Sequence, residues 1–286
     1  LASGCQAPAS PSPSTSPSPS VSPSTEPSLP PSSDPTPDVT PTPTPLGSGC
    51  STGERVAAGA QEVIVHVDSE DRLALTFDMG GRLDPALDIM AFLIENEVCT
   101  TLFPTGAMSE TETGQAVLSL VAEHPELFEV GNHTMHHCNL RDGGLGSPTE
   151  APCQTGGPPD QAFVAAELTD AAAILEADTG QDPAPYWRPP YGASNDEVLA
   201  TAASLGYTRT MLWSLDTIDW RPIAEGGPNA EQIATNVVTS AGAGSIVLMH
   251  LGGYETLDAL RIMVPALRER GLVLTSVSDL LRRAAP

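Results

Sequence analysis

The chain has 286 residues and a formal net charge of −24, with 36 acidic side chains against twelve basic ones, all of them arginine. So acidic a surface excludes binding driven by the phosphates of nucleic acid or by anionic lipid. No run of about 20 apolar residues occurs, which excludes a transmembrane helix within the sequence.

The first 48 residues cannot contribute to a core. The opening Leu1-Ala2-Ser3-Gly4-Cys5 resembles a bacterial lipobox, with Ala2 where leucine is more usual. That resemblance implies cleavage before Cys5, lipidation of its thiol, and a sequence that begins inside a signal peptide; an unrelated free thiol is the alternative. Residues 6–48 are almost entirely Pro, Ser, Thr and Ala, so they are expected to stay extended as a disordered tether, partly in polyproline II. At roughly 3.1 Å per residue, about 40 residues reach on the order of 120 Å when fully extended. Residues 49–286 have the length of one α/β domain. The predicted organisation is thus 1–5 lipobox remnant, 6–48 tether and 49–286 folded domain, in a monomer outside the cell. It is expected to face the cell wall and to touch the membrane only through a lipid on Cys5.

Five cysteines leave one over if all pair within the chain. With Cys5 lipidated, Cys50, Cys99, Cys138 and Cys153 remain for two disulfides. Cys138 and Cys153 bracket a Gly- and Pro-rich loop, and Cys50 with Cys99 would pin the N-terminal arm, although four cysteines allow three pairings. No C-x-x-C is present, so a thiolate zinc site is not expected.

From Leu73 onward strand and helix signals alternate. Apolar runs at 72–77, 99–104, 127–131, 207–214, 245–250 and 272–277 read as buried strands. Helical patterns fall near 84–97, 113–124, 161–179, 195–205, 230–241, 256–270 and 278–284. The first would place Leu87, Met90, Ala91 and Ile94 on one face. Gly180 and Gly206 are expected to follow helix C-termini and Asn195 to cap an N-terminus. This alternation implies an α/β fold of parallel strands with helices outside, either a barrel or an open sheet.

Chemistry concentrates at the strand ends. Thr76-Phe77-Asp78-Met79-Gly80-Gly81 closes the first long strand on a carboxylate and glycines. Downstream stand Gly131-Asn132-His133-Thr134-Met135-His136-His137, Arg188-Pro189-Pro190-Tyr191-Gly192, Asp216-Thr217-Ile218-Asp219-Trp220 and Val247-Leu248-Met249-His250. His133 and His137, four apart, would share one face of a helical turn and could hold one ion. Hydrolysis of an amide needs an activated water, a stabilised oxyanion and an acid for the leaving amine, and a metal can supply the first two.

In order and spacing these segments resemble the five motifs of the NodB-like polysaccharide deacetylases, family four of the carbohydrate esterases. The resemblance implies an incomplete, distorted (β/α) barrel with its site at the carboxyl ends of the strands. It implies Asp78 as general base, Arg188 as the cation that orients it, His250 as general acid and Asp219 as the carboxylate that keeps this histidine charged. Packing on Trp187 is the bland alternative for Arg188. His133 and His137 correspond to metal ligands, zinc being the expected ion with cobalt or nickel as alternatives. Tyr191 would offer its backbone N–H to the oxyanion, and Trp220 with Leu248 would wall the acetyl pocket. His136 falls on an unassigned position and is expected to be a bystander, with competition as a ligand as the alternative.

The family carries a second, metal-binding Asp where this chain has Met79, whose neutral thioether cannot replace it on zinc. Asp84 is the nearest candidate to fill that place, with helix capping ahead of Pro85 as its alternative role; Asp78 binding the ion itself, or a weakened site, are the other readings. The implied function is removal of N-acetyl groups from an extracellular glycan, peptidoglycan or a chitin-like polymer. The alternatives are an O-acetyl esterase using the same residues and a glycan-binding lipoprotein that lost its metal with Met79.

Overall fold

The computed structural model describes residues 55, 59–146, 153 and 156–284. Cys5, the tether at 6–48 and Cys50 lie outside the described residues, so the expectations placed on them stand as made. The described residues all fall in one unit, Pro45–Pro286.

Among the described residues nine strands and eight α-helices follow one another: β1 (Glu62–Ile64), β2 (Arg72–Met79), α1 (Ala86–Glu95), β3 (Thr100–Pro104), α2 (Gly106–Ser109), α3 (Glu112–Glu123), β4 (Phe128–Val130), α4 (Gln161–Thr179), β5 (Tyr186–Trp187), α5 (Asp196–Ser204), β6 (Arg209–Met211), β7 (Leu215–Asp216), α6 (Ala230–Ser240), β8 (Ile246–His250), α7 (Thr256–Glu269), β9 (Val273–Leu274) and α8 (Val277–Ala284). The strands pair in parallel in two sheets, β4-β3-β2-β8-β7 with β9 also on β2, and β1-β6-β5. A parallel bridge between Asn132 and Trp187 joins β4 to β5, so the sheets follow one another around an incomplete barrel. The expected barrel is therefore the one found.

β2 is central because it is buried on both faces, as its near-continuous apolar sequence requires. Side chains alternate along it. Leu73, Leu75, Phe77 and Met79 join the main apolar cluster together with residues of α1, α3, α6 and α7. Ala74 belongs instead to a smaller cluster with Phe103, Tyr186, Met211 and Ile246, closed by Val277 and Leu280 of α8. Thr76 and Asp78 continue on the Ala74 face.

The helices end as the sequence suggests. Asn195 accepts a hydrogen bond from Val198 N–H, and Gly180 closes α4 with φ of +71°. Three expectations are corrected. The buried face of α1 is Ala86, Ile89, Met90 and Leu93, while Leu87 is exposed, so the helix is rotated from the predicted stripe. Asp84 does not cap α1 either: Pro85 is the N-cap residue, and no side chain bonds there. The strand expected at 272–277 is β9 alone, because α8 already begins at Val277. β1, β5, β7 and α2 were not predicted at all.

Candidate active site

Asp78 sits at the last turn of β2 in register with His250 at the end of β8, so the two are direct neighbours across adjacent strands. Arg188, fully buried just after β5, reaches Asp78 from the other sheet. Its Nη1 donates to Asp78 Oδ1 at 2.6 Å, its Nη2 to Thr76 Oγ1 at 2.9 Å and its Nε to the Met211 carbonyl at 2.8 Å. The guanidinium also lies over the Phe103 ring at 4.2 Å and over the Trp213 ring at 5.6 Å. Packing on Trp187 is therefore not its role. Burial pushes the Asp78 carboxyl up, but the opposing charge of Arg188, helped by His133 and His250, holds it below the usual range.

His133 and His137 come together, with ring centroids 4.9 Å apart, but not on a helix. Residues 131–138 are irregular, and Thr134 and His137 take φ of +68° and +58°. The expected helical turn is replaced by a loop held at Asn132, whose N–H and C=O pair with Tyr186 and Arg188 and whose amide donates to Leu168 and Tyr207. Of the six non-glycine residues with positive φ among the described residues, Thr134, His137, Tyr191 and Ile218 lie in the loops of this site. Strain of that kind, on β-branched Thr and Ile especially, collects where geometry serves function.

His133 reveals what the centre accepts. Its Nδ1 faces the Arg188 carbonyl at 2.8 Å, and since a carbonyl only accepts, Nδ1 carries the proton. Burial lowers the pKa of this imidazole against the pull of Asp78, so the ring is neutral and Nε2 holds a lone pair. That Nε2 is buried, has no hydrogen-bond partner, and faces Asp78 Oδ2 at 3.4 Å. Two lone pairs facing each other in a buried site call for a cation between them. His137 is lowered by burial, and then by His133, to about 3, so it too is a neutral imidazole donor. Its ring lies so close to Gly80 that a Cβ there would come within 2.4 Å of it.

The donor set of two imidazoles beside one carboxylate thus fits a divalent ion. Among the described residues, however, no three His, Cys, Asp or Glu side chains form a complete metal cluster. Met79 cannot supply the third ligand, because it lies wholly inside the apolar cluster. Asp84 does not supply it: its side chain is 83% exposed and paired with Arg82 at 2.6 Å. His136 Nδ1 is held by Glu167 at 2.6 Å.

On β8, His250 Nδ1 donates to Asp219 Oδ1 at 2.7 Å, and its backbone N–H donates to Asp219 Oδ2 at 2.9 Å. The Thr256 hydroxyl, at the start of α7, donates to the same Oδ2. Gly253 must be glycine here, since a Cβ would sit 2.5 Å from Asp219 Oδ2. Burial alone would lower the pKa of His250, but Asp219, with Asp78 and Asp216 behind it, raises it.

Between these groups opens a cleft of about 500 Å³ lined by Asp78, His137, His250 and Leu248 and by Tyr191, Trp213, Trp220 and Tyr254. Tyr191, Trp220 and Tyr254 are about half exposed, and the Tyr191 hydroxyl stands 3.1 Å from His137 Nδ1. Trp213, Tyr254, Arg82 and Thr76 were missed in the sequence. The signal for Arg82 and Tyr254 was weak, because Arg82 lies over the Tyr254 ring at 4.4 Å and bonds the Gly252 carbonyl, 170 residues away in sequence. The Cys138–Cys153 disulfide is formed, and Cys99 is also disulfide-bonded.

Residues 66–210 match the polysaccharide deacetylase family. A peptidoglycan-N-acetylglucosamine deacetylase from Bacillus cereus is 30% identical over 223 residues, 75% of this chain and 90% of that protein. The solved Bc1960 peptidoglycan N-acetylglucosamine deacetylase is 25% identical, with a TM-score of 0.62 over 76% of this chain and 92% of that one. BA3943, a CE4 family pseudoenzyme from Bacillus anthracis, superposes with a TM-score of 0.64 over 79% of this chain and 70% of its own, at 23% identity, a likeness of fold. With its motifs gathered around one cleft at the strand ends, this chain belongs to the polysaccharide deacetylase family.

Proposed function

We propose that the chain is a metal-assisted hydrolase that removes N-acetyl groups from an extracellular N-acetylglucosamine polymer. The observation that carries this reading is the register pairing of Asp78 and His250, a carboxylate held ionised beside an imidazole held protonated. Opposite shifts on neighbouring groups are what acid and base chemistry on one substrate needs. Asp78 accepts the proton of the attacking water, with Arg188 fixing the direction of its free oxygen. His250, charged and aligned through Asp219 and Thr256, gives a proton to the departing amine. His133 and His137 are the residues that would hold a divalent ion beside Asp78, and that ion would supply the charge that acidifies the water and steadies the oxyanion.

The aromatic rim suits a sugar. Four of the seven Trp and Tyr side chains in the whole sequence line this one cleft, where flat apolar faces can stack on pyranose rings. Location outside the cell is supported by the Cys138–Cys153 disulfide, which persists in oxidising compartments, and by the lipobox-like start.

The burial of Met79 favours a second reading, a glycan binder without turnover. Acetate release from an N-acetylglucosamine tetramer separates the two, measured with added zinc or cobalt and after chelation. Release that depends on the ion supports the hydrolase; binding without release supports the second reading.

A further inference from the structure

α4 carries a carboxylate on its buried side. Val164, Leu168, Ala171 and Leu175 form an apolar stripe, and Glu167 stands within it, 3% exposed. A glutamate is buried so completely only where partners meet it. Both partners belong to one residue of the loop that bears the two imidazoles. Glu167 Oε2 accepts the His136 backbone N–H at 2.9 Å, and Oε1 accepts from His136 Nδ1 at 2.6 Å. Glu167 does not line the catalytic cleft, so its role is not contact with a substrate.

The next residue of α4 holds the other end of the same loop. The Leu168 carbonyl accepts from the Asn132 side-chain amide at 2.9 Å. Asn132 precedes His133 and His136 precedes His137, so consecutive residues of α4 anchor the position before each imidazole. α2 holds the middle: Gly106 N–H donates to the Thr134 carbonyl at 3.1 Å and Ala107 N–H to the Met135 carbonyl at 2.8 Å. The loop needs such anchoring. Thr134 and His137, on either side of His136, both take positive φ, and non-glycine residues keep that conformation only where their surroundings fix it.

We propose that Glu167 is a positioning residue of the ion site: by binding His136 through backbone and ring, it fixes the turn that sets His137 beside His133. The proposal rests on the reading of these two imidazoles as ion ligands. With Met79 inside the apolar cluster, the site has fewer groups to organise an ion. Its affinity then depends the more on imidazoles already in place before the ion arrives.

Zinc alone, titrated calorimetrically into the full chain, tests this. Glu167→Leu, close in size but without acceptors, should bind zinc roughly tenfold to a hundredfold more weakly, as is usual when a group behind a ligand is lost. Glu167→Gln should stay near the parent, because its amide can accept the His136 N–H and donate to Nδ1 in the other tautomer. Glu167→Asp, with the carboxylate drawn back by one methylene, should fall between them, and it replaces the leucine variant if that one does not fold. Hydrogen exchange of the metal-free proteins gives an answer that needs no ion. In Glu167→Leu the Gly106 and Ala107 amides should exchange faster, because the carbonyls they bond move with the loop, while those of β8 should not change. Parent-like zinc affinity in Glu167→Leu overturns the proposal. So does exchange that quickens throughout the fold, the mark of a merely structural role. If the parent itself binds no zinc, the metal-assisted reading fails, and exchange at Gly106 and Ala107 alone upholds or overturns Glu167 as the anchor of the loop.

Discussion

Asp78 and Glu129 are both buried carboxylates on barrel strands, one at the carboxyl end of β2 and the other on β4 beside the start of α8. Asp78 is met by a buried guanidinium and kept ionised. Glu129 is met by no such neighbour: Oε1 accepts from the Thr101 hydroxyl at 2.8 Å and from Ser278 N–H at 3.2 Å, and Oε2 has no partner. Burial raises its pKa, against the more modest pull of Arg55 and these hydrogen bonds. One barrel therefore favours a charge where Arg188 meets the carboxylate and disfavours it beside α8. The difference shows that ionisation here is set by the partner the fold delivers and not by burial alone.

Removing the groups on the charged side should have the largest effects. Asp78→Asn and His250→Ala each lose a proton-transfer role and should lower the rate of acetate release roughly a hundredfold to ten-thousandfold. Circular dichroism should stay unchanged; parent-like turnover in either variant removes the assignment. Arg188→Met should be as damaging by another route. It strands Asp78 in an apolar site, so unfolding in denaturant should show a loss of about 3–5 kcal/mol along with the activity. A stable Arg188→Met protein would mean that Asp78 does not need its partner.

The charged side should also show in pH. Activity should persist above the ordinary imidazole pKa of 6.5 because His250 keeps its proton there, and fall as that proton is lost. Asp219→Asn removes the main force raising it and leaves burial, which lowers it. The alkaline limb should then move to lower pH. An unmoved limb in Asp219→Asn would show that another group carries it.

Much of this was legible in the sequence, and the misses have physical causes. The long apolar run of β2 and the helical patterns of α3, α4 and α6 are local signals, which the chain displays directly. β5 and β7 are two residues each and exist only because a neighbouring strand pairs with them. The four-residue spacing of His133 and His137 foretold that they meet, but the meeting is made by positive-φ turns. Spacing could not fix the side to which Met79 turns, because that depends on where β2 ends its alternation. Asp84 looked near in sequence, yet Arg82 holds it in solvent.

Met79 joins the two sides of the comparison, since a carboxylate there would begin, like Glu129, buried with no guanidinium bonded to it. Met79→Asp should lower Tm of the metal-free protein, as burial of an unpaired acid does. If the strand end turns to present it beside His133 and His137, zinc should raise Tm more in the variant than in the parent, a tenfold gain in affinity being about 1.4 kcal/mol. Asp84→Ala should leave zinc binding where it was. A variant no more responsive to zinc than the parent would place the missing ligand elsewhere.

The smallest effect belongs to Glu129→Gln. The amide oxygen can accept from Thr101 and Ser278 as the carboxyl does, and its NH2 replaces an oxygen that already has no partner. Near pH 5 the stabilities should agree within about 1 kcal/mol. The sign of the pH dependence follows from the raised pKa. The folded protein binds this proton more tightly than the unfolded chain, whose glutamates titrate near 4.5. The stabilisation is complete below that value and is lost as pH rises through the folded pKa. Glutamine cannot ionise, so the variant should gain on the parent as pH is raised from 5 to about 8, a window set by the direction of the shift. Denaturant midpoints of both proteins across that range provide the measurement. A difference that stays flat would mean that Glu129 is ionised in the fold after all, and that its closeness to Arg55 outweighs its burial.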